Sequence, residues 1–458
     1  MRTWLLPPGV TAPAARFREL GSLQLEEPEV TPALAGEIAR RLRGARPALI
    51  ALKTDAILRA IEDTIREWLL SGSADRTAAE NAFRASTGMP APTSPFLPLL
   101  DAYRGMRVGE WARAEVDPFG ALDGFAPGRG GAPVRALGPG LAVHVLPGNV
   151  PLVWLSSLLG CLIMRTPCLV KPSADDPLTA ALFVSSLARR LPALAEALAV
   201  LPWAGGDGAV ETRVFEEAEA VVAYGSDDAT RSLARRVPPA VRLLVHGPRF
   251  AVGAVGREMA GPGRFEPIAA SAARDALLYD GRGCLSLVAI YAERGGLYEP
   301  REMASMLARA MATASEDLPP GRAGTETAAL TQSWRARIRA RALAGKPSAL
   351  FTGARGLDWT VCYDDEIAPP LSLFRTVWVS GVNDLDEVPS RLASGENRMH
   401  ALAFAGPKPR GIQLAGALAP LGLTRLAAFG SLQEPPLFWP HGGTSVFKQL
   451  LRWVRLET

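Results

Sequence analysis

"GRGCLS", residues 281–286, sets Cys284 between glycines and a serine, directly before "LVAIYAE", which reads as a buried strand. A thiolate is a strong nucleophile, and a flanking glycine lets a substrate carbonyl approach it at a loop end. A small packed residue is the plainer alternative. In "VLPGNVPLVW", 145–154, a strand ends, a turn follows and a helix begins, with Asn149 at the turn after Gly148. An amide there can donate to a developing oxyanion, or it can simply cap the helix. Lys171 closes the apolar strand of "LVKPS", where a cation suits a phosphate or ribose, or else reaches for solvent. "AGGDGA", 204–209, is half of a GxGxxG. In "AYGSDDATRSL", Ser226 follows a strand and opens a helix, where backbone N–H groups can receive an anion such as a pyrophosphate. An ordinary N-cap has the same appearance.

The elements that must position these residues alternate. From 141 onward "LAVHVLP", "PCLVKPS", "ALAVLPW", "AVVAYG", "VRLLVHG" and "FAVGAV" read as strands. Among them, "LVWLSSLLGCLIM", "PLTAALFVSSLARRL" and "DATRSLARRV" read as helices. Strand and helix in turn, with short connections, are the pattern of a doubly wound parallel sheet. A second α/β region covers 247–405 and centres on Cys284. Ahead of both, Ile50, Ile57, Ile61, Ile65 and Leu69 fall at helical spacing over 47–70 and predict one amphipathic packing helix. The Pro- and Gly-rich stretch 117–140 reads as a linker or an extended crossing.

Composition narrows the class. The chain has 458 residues, 48% hydrophobic and 21% charged, so it is long enough for more than one globular domain. A net charge of +4 spread along the chain gives no footprint for nucleic acid. Cys161 and Cys168 lie in one apolar stretch with no histidine close in sequence. The histidines at 144, 246, 400 and 441 form no zinc spacing. No metal site and no disulfide framework is expected, and a reducing cytoplasm fits. The apolar run 151–164 is bounded by Arg165 and Pro167, short of the ~20 residues of a membrane span, and reads as a buried helix. "MRTWLLPPGV" is too short an apolar run for a signal peptide.

The ordered set "VLPGNVPL", "LVKPS", "AYGS", "GRGCLS" and "EIAPPLSLF" resembles the aldehyde dehydrogenase superfamily in sequence and separation. "PGNVP", "GCLS" and the "HGG" after "FGSLQEPPLFW" resemble its acyl-CoA reductase branch, the fatty-acid reductase component of bacterial bioluminescence systems. That resemblance covers about 140–450. It implies an α/β fold of the aldehyde dehydrogenase kind, a Rossmann-like cofactor domain with an inserted α/β catalytic domain. The implied partition is an N-terminal helical and extended region packing on the cofactor domain (1–130), the nucleotide-binding domain (131–246), the catalytic domain (247–405) and a C-terminal return and oligomerisation segment (406–458).

Residue by residue, the resemblance makes Cys284 the nucleophile. Asn149 and the backbone N–H of Cys284 become the oxyanion donors. Lys171 and Ser173 become adenosine-ribose contacts, Gly225 and Ser226 the turn at the pyrophosphate, and Glu366 the holder of the nicotinamide ribose. Pro147 and Gly205 complete the expected cofactor contacts. Ala174, standing where NAD-preferring relatives carry an acid, implies NADPH. The implied activity is reduction of an acyl thioester, on coenzyme A or a carrier protein, to the aldehyde, in a homo-oligomer that can have an acyl-activating partner. The stretch "LVHGPRF", 244–250, has no carboxylate where hydrolytic members carry one, and His246 ends a strand there. "RARIRAR", 335–341, reads as a solvated helix face or a contact for coenzyme A phosphates or an acidic carrier protein. Two alternatives remain: an NAD(P)-dependent aldehyde dehydrogenase forming acid, and a degenerate scaffold subunit of an acyl-activating complex.

Overall fold

A computed structural model describes residues 1–89, 96–366, 373–393 and 398–457. The chain divides into two compact units. One is Met1–Thr87, Ser94–Gly247 and Pro436–Thr458; the other is Gly88–Thr93 and Pro248–Pro435. Residues 406–435 thus belong with the second unit, and only the last segment returns to the first.

The first unit holds a five-stranded parallel sheet. Its strands are β1 (Ala142–Val145), β2 (Cys168–Lys171), β3 (Leu198–Val200), β4 (Ala220–Tyr224) and β5 (Arg242–His246), in the order β3-β2-β1-β4-β5. The three inner strands and the edge strand β3 are near-continuous apolar runs because helices cover both faces of such a sheet. Helix α1 (Leu155–Ile163) buries every residue except Ser156, as a helix apolar on all sides must. It stops where Arg165 takes a left-handed φ of 57° and its buried guanidinium bonds Ile163 O, Thr54 Oγ1 and Asp123. Helices α2 (Thr179–Ala188) and α3 (Asp227–Ala234) follow β2 and β4.

The second unit holds a seven-stranded sheet. Its strands are β6 (Phe250–Val255), β7 (Leu287–Glu293), β8 (Ser348–Thr352), β9 (Thr360–Asp364), β10 (Thr376–Val382), β11 (Met399–Ala405) and β12 (Arg425–Ala427). The order is β8-β9-β10-β7-β6-β11-β12, and all neighbours are parallel except β8 with β9. "FAVGAV" therefore lies inside this second sheet. Helix α4 (Phe265–Leu277) leads towards β7 and Cys284, and α5 (Thr325–Leu343) towards β8.

Two expectations about the first unit are corrected. The single helix over 47–70 is two, Arg46–Ala51 and Thr54–Leu69. Leu52 is extended and gives its carbonyl to Arg165, while the Thr54 N–H donates to Asp123 Oδ1 at 2.8 Å, so a side chain restarts the helix. Ile57, Ile61 and Ile65 are buried as the spacing requires. The stretch 117–140 is not a linker. Ala126–Pro127 and Pro133–Leu137 pair antiparallel, and Pro133–Leu137 pairs again with Arg452–Arg455 of the C-terminal segment. Its glycines and prolines hide strands this short from a pattern reading.

Candidate functional site

Cys284 sits on a loop built by an unusual backbone. After α4, Tyr279, Asp280 and Gly281 have φ of 53°, 57° and 72°, three left-handed residues in succession, two of them not glycine. Such a turn persists only when its surroundings hold it. Asp280 accepts from Arg375 Nη1 at 3.1 Å and from Gly321 N at 3.3 Å, and Arg375 also donates to the Leu318 carbonyl at 2.6 Å. The next turn closes around the cysteine: Ser286 N donates to Gly283 O at 3.0 Å, and Gly283 N to Ser286 Oγ at 3.0 Å. β7 starts immediately after. The loop-end placement expected for Cys284 is therefore found.

The thiol is not the ready thiolate that such a loop suggests. Burial pushes it from 9.0 up to about 12, and its own backbone N–H and the charge of Arg249 offset this only in part. Cys284 is half-buried, and this shift favours the thiol over the thiolate near pH 7, where a neighbouring base can take the proton. A ring nitrogen of His400, a fully buried residue of β11, lies within 4.8 Å of Cys284 Sγ. No motif in the sequence singles out His400; only the adjacency of β6 with both β7 and β11 brings it near.

In the first unit, Asn149 is exposed in the bend after β1. α1 begins only at Leu155, with Trp154 in the N-cap position and no side-chain cap, so the helix-cap reading of Asn149 does not hold. A Cβ on Gly148 would stand 2.5 Å from Ser173 Oγ and 2.6 Å from Asp175 Cβ, so only glycine lets the turns after β1 and β2 touch. Pro147 is half-buried beside it. Lys171 ends β2 with its carbonyl accepting from Leu146 N at 3.0 Å. Burial pushes its ammonium below the usual lysine range, Glu211 only partly opposing, and it has no ion pair among the described residues. Ser173 Oγ accepts from Asp175 N at 3.2 Å. Ala174 and Asp175 are exposed. Asp176 is buried and spent on Thr179, whose N–H and Oγ1 donate to it, and burial raises its carboxyl to about 6.

Ser226 is the N-cap of α3, its Oγ accepting from Ala229 N at 3.3 Å. Asp227 and Asp228 fill the first turn. Two carboxylates already answer the helix dipole there, so an anion at Gly225 and Ser226 would share the turn with them. Gly225 gives its N–H to the His246 carbonyl at 3.3 Å. Gly205 lies in an exposed turn before the helix Gly208–Phe215, which Asp207 caps.

His246 does more than end β5. Its ring stacks on Tyr224, centroids 4.5 Å apart, and its Nδ1 is 2.9 Å from His441 Nδ1. One of the two rings must donate and the other accept, so the pair shares one proton. Both line a pocket with Ser156, Ser157, Tyr224 and Trp439. A second grouping was hidden by sequence distance. His144 on β1, Cys161 on α1 and Cys168 on β2 are all buried, with one ligand atom of each within 4.8 Å of the others. Cys168 and His144 draw the Cys161 thiol down to about 6, while burial and Cys161 push Cys168 up.

Glu366 is exposed and accepts from Arg341 Nη2 at 2.7 Å; Arg341 Nε also donates to Asp364 at 2.8 Å. Residues 367–372 of the "EIAPPLSLF" stretch lie outside the described residues. Arg335 is buried and bonds Thr360 Oγ1 at 2.8 Å and the Gly356 and Trp359 carbonyls. In "RARIRAR", Arg335 and Arg341 have structural roles, while Arg337 and Arg339 are exposed, as a solvated face requires.

No helix among the described residues is long and apolar enough to cross a membrane. Solved structures similar to this chain share its fold at low identity. An aldehyde dehydrogenase of Physcomitrella patens aligns over 99% of this chain and 95% of its own, with TM-score 0.72 and 14% identity. One from Pseudomonas syringae aligns over 99% and 96%, with TM-score 0.69 and 14% identity. The fold is that of the aldehyde dehydrogenases, as expected. By sequence, the chain is 31% identical over 173 residues to a long-chain acyl-protein thioester reductase of Aliivibrio fischeri, 37% of this chain and 35% of that protein. It is 28% identical over 266 residues to the one of Vibrio harveyi, 56% of this chain and 52% of that protein. These alignments span a third to a half of the relatives' lengths. The match that covers nearly the whole chain runs over residues 49–453, and by it the chain belongs to the acyl-CoA reductase (LuxC) family.

Proposed function

We propose that the protein reduces an acyl thioester to the aldehyde, with Cys284 carrying the acyl group and NADPH as the reductant. The observation that carries this is the Cys284 loop: a single thiol at the tip of a turn held by buried hydrogen bonds, with an imidazole beside it.

His400 takes the thiol proton, which burial otherwise retains at neutral pH. The sulfur attacks the thioester carbonyl, the carbon–sulfur bond to the donor thiol breaks, and that thiol leaves with the proton. The loop's own Cys284 N–H donates to the oxyanion, and the family resemblance supplies Asn149 as the side-chain donor. A bound nicotinamide supplies the hydride that takes the acyl group to the aldehyde. Lys171 and Ser173 at the end of β2 are the residues that would hold the dinucleotide. The glycine-only contact between Gly148 and Ser173 and the unpaired charge of Lys171 support this. Glu366 is the carboxylate assigned to the nicotinamide ribose, with Arg341 as its present partner. Pro147, Gly205, Gly225 and Ser226 carry less of the case. The donor thiol belongs to coenzyme A or a carrier protein.

The test is to incubate the protein with long-chain acyl-CoA and NADPH and to assay aldehyde. Stoichiometric aldehyde and NADP are expected. Acid formed from added aldehyde, with no aldehyde from thioester, would refute the proposal.

A further inference from the structure

We infer that Gln433 is a positioning residue for Cys284, acting through the Ser286 hydroxyl; this rests on Cys284 being the acyl carrier. Ser286 closes the loop around the cysteine, and its oxygen has two lone pairs. One accepts from Gly283 N at 3.0 Å, the other from Gln433 Nε2 at 3.0 Å. The second Nε2 proton of Gln433 goes to the Asp275 carbonyl at 3.2 Å. Both protons of the amide are thereby used, which fixes its orientation.

The turn that delivers Gln433 is held from the same place. The Asp275 carboxylate accepts from Gly430 N at 2.6 Å and from Leu432 N at 3.2 Å. Gly430 has a left-handed φ of 89° that a side chain would strain. Asp275 therefore ties the end of α4 to the turn just before Gln433, and Gln433 ties that turn to the cysteine loop. Asp275, Ser286 and Gln433 are all buried, so water cannot replace a lost partner.

Without Gln433 the loop keeps its backbone bond from Ser286 N to Gly283 O but loses the bond that sets the orientation of the Ser286 hydroxyl. The consequence falls on the aim of Sγ and of the Cys284 N–H, not on substrate affinity. Misplacement of reacting groups by about 1 Å costs on the order of 100-fold in rate.

The test uses the full chain and an acyl-CoA, following Cys284 acylation by intact-protein mass spectrometry in a rapid quench. Gln433→Met should lower the acylation rate at saturation roughly 10- to 100-fold and leave the half-saturating acyl-CoA concentration within about threefold. Ser286→Ala, which also gives up the Gly283 N bond, should lower it at least as much. The double variant should be no slower than Ser286→Ala, because the Gln433–Ser286 bond is removed once. A Gln433→Met acylation rate within twofold of wild type, or additive losses in the double variant, would overturn the inference. If Gln433→Met does not fold, Ser286→Ala decides alone, and an unchanged rate in it overturns the inference. Absence of any Cys284 adduct in the wild type would instead bring down the acyl-carrier reading on which the inference rests.

Discussion

Arg375 holds Asp280 in a left-handed turn four residues before Cys284, Nη1 to Oδ1 at 3.1 Å, with side chains 1% and 2% exposed. Removing one partner of a buried pair leaves the other charge without compensation. Arg375→Ala should therefore cost about 3–5 kcal/mol of stability, more than an exposed pair such as Arg231 with Asp228 can. Urea denaturation followed by circular dichroism checks this. A loss under about 1 kcal/mol would show that the pair does not hold the turn.

The Cys284 thiol, raised by burial to about 12, sets a pH dependence. Alkylation of Cys284 by iodoacetamide should be slow at pH 7 and climb about tenfold per pH unit up to pH 11 without levelling. A plateau reached near pH 8 would contradict it. The same shift has a sign for stability. Between 9.0 and about 12 the native state keeps a proton that the unfolded chain has given up. This contribution is present below pH 9 and is lost as pH rises towards 12. Cys362, likewise raised to about 12 by burial, acts in the same direction.

Ala174 is exposed beside Ser173; of the two acids that follow it, Asp176 is buried and bonded to Thr179, while Asp175 is exposed. With no carboxylate facing a 2′-phosphate from position 174, kcat/KM should favour NADPH over NADH, and Ala174→Asp should reverse or erase the preference by about tenfold or more. Paired kinetics with the two nucleotides decide. A clear NADH preference in the wild type would refute the assignment.

Hydrolysis of a thioacyl-enzyme needs an activated water, and residues 244–250 bring no carboxylate. His246 is engaged by His441 and stacked on Tyr224. The acyl-enzyme should persist without NADPH and discharge when it is added. His246→Ala should leave its lifetime within about twofold. Rapid release of free acid from the wild type, slowed in His246→Ala, would make His246 the base.

The parallel sheet of the first unit was readable from sequence because its strands are short apolar runs between helices, and Cys284 because glycine flanks it before a strand. His400, His441 and Gln433 were not, since each reaches its partner through strand order or a returning segment that no local pattern encodes. The three-stranded sheet of the first unit escaped for the same reason: Pro133–Leu137 finds a partner in Arg452–Arg455 at the far end of the chain. The raised thiol of Cys284 also follows from burial, which a motif cannot report. The carboxylates at the start of α3 were in plain view as "SDDATR", but their bearing on a pyrophosphate emerged only once the helix start was fixed at Asp227.

The most direct measurement is the intact mass of the protein after incubation with a long-chain acyl-CoA in the absence of NADPH, followed by peptide mapping. One acyl group on Cys284, gone on addition of NADPH with aldehyde appearing in equal amount, is the predicted result. Cys284→Ala should show neither adduct nor aldehyde, while Cys161→Ser, Cys168→Ser and Cys362→Ser should keep both. Aldehyde production surviving in Cys284→Ala, or an adduct mapped to another residue, would contradict the role assigned to Cys284.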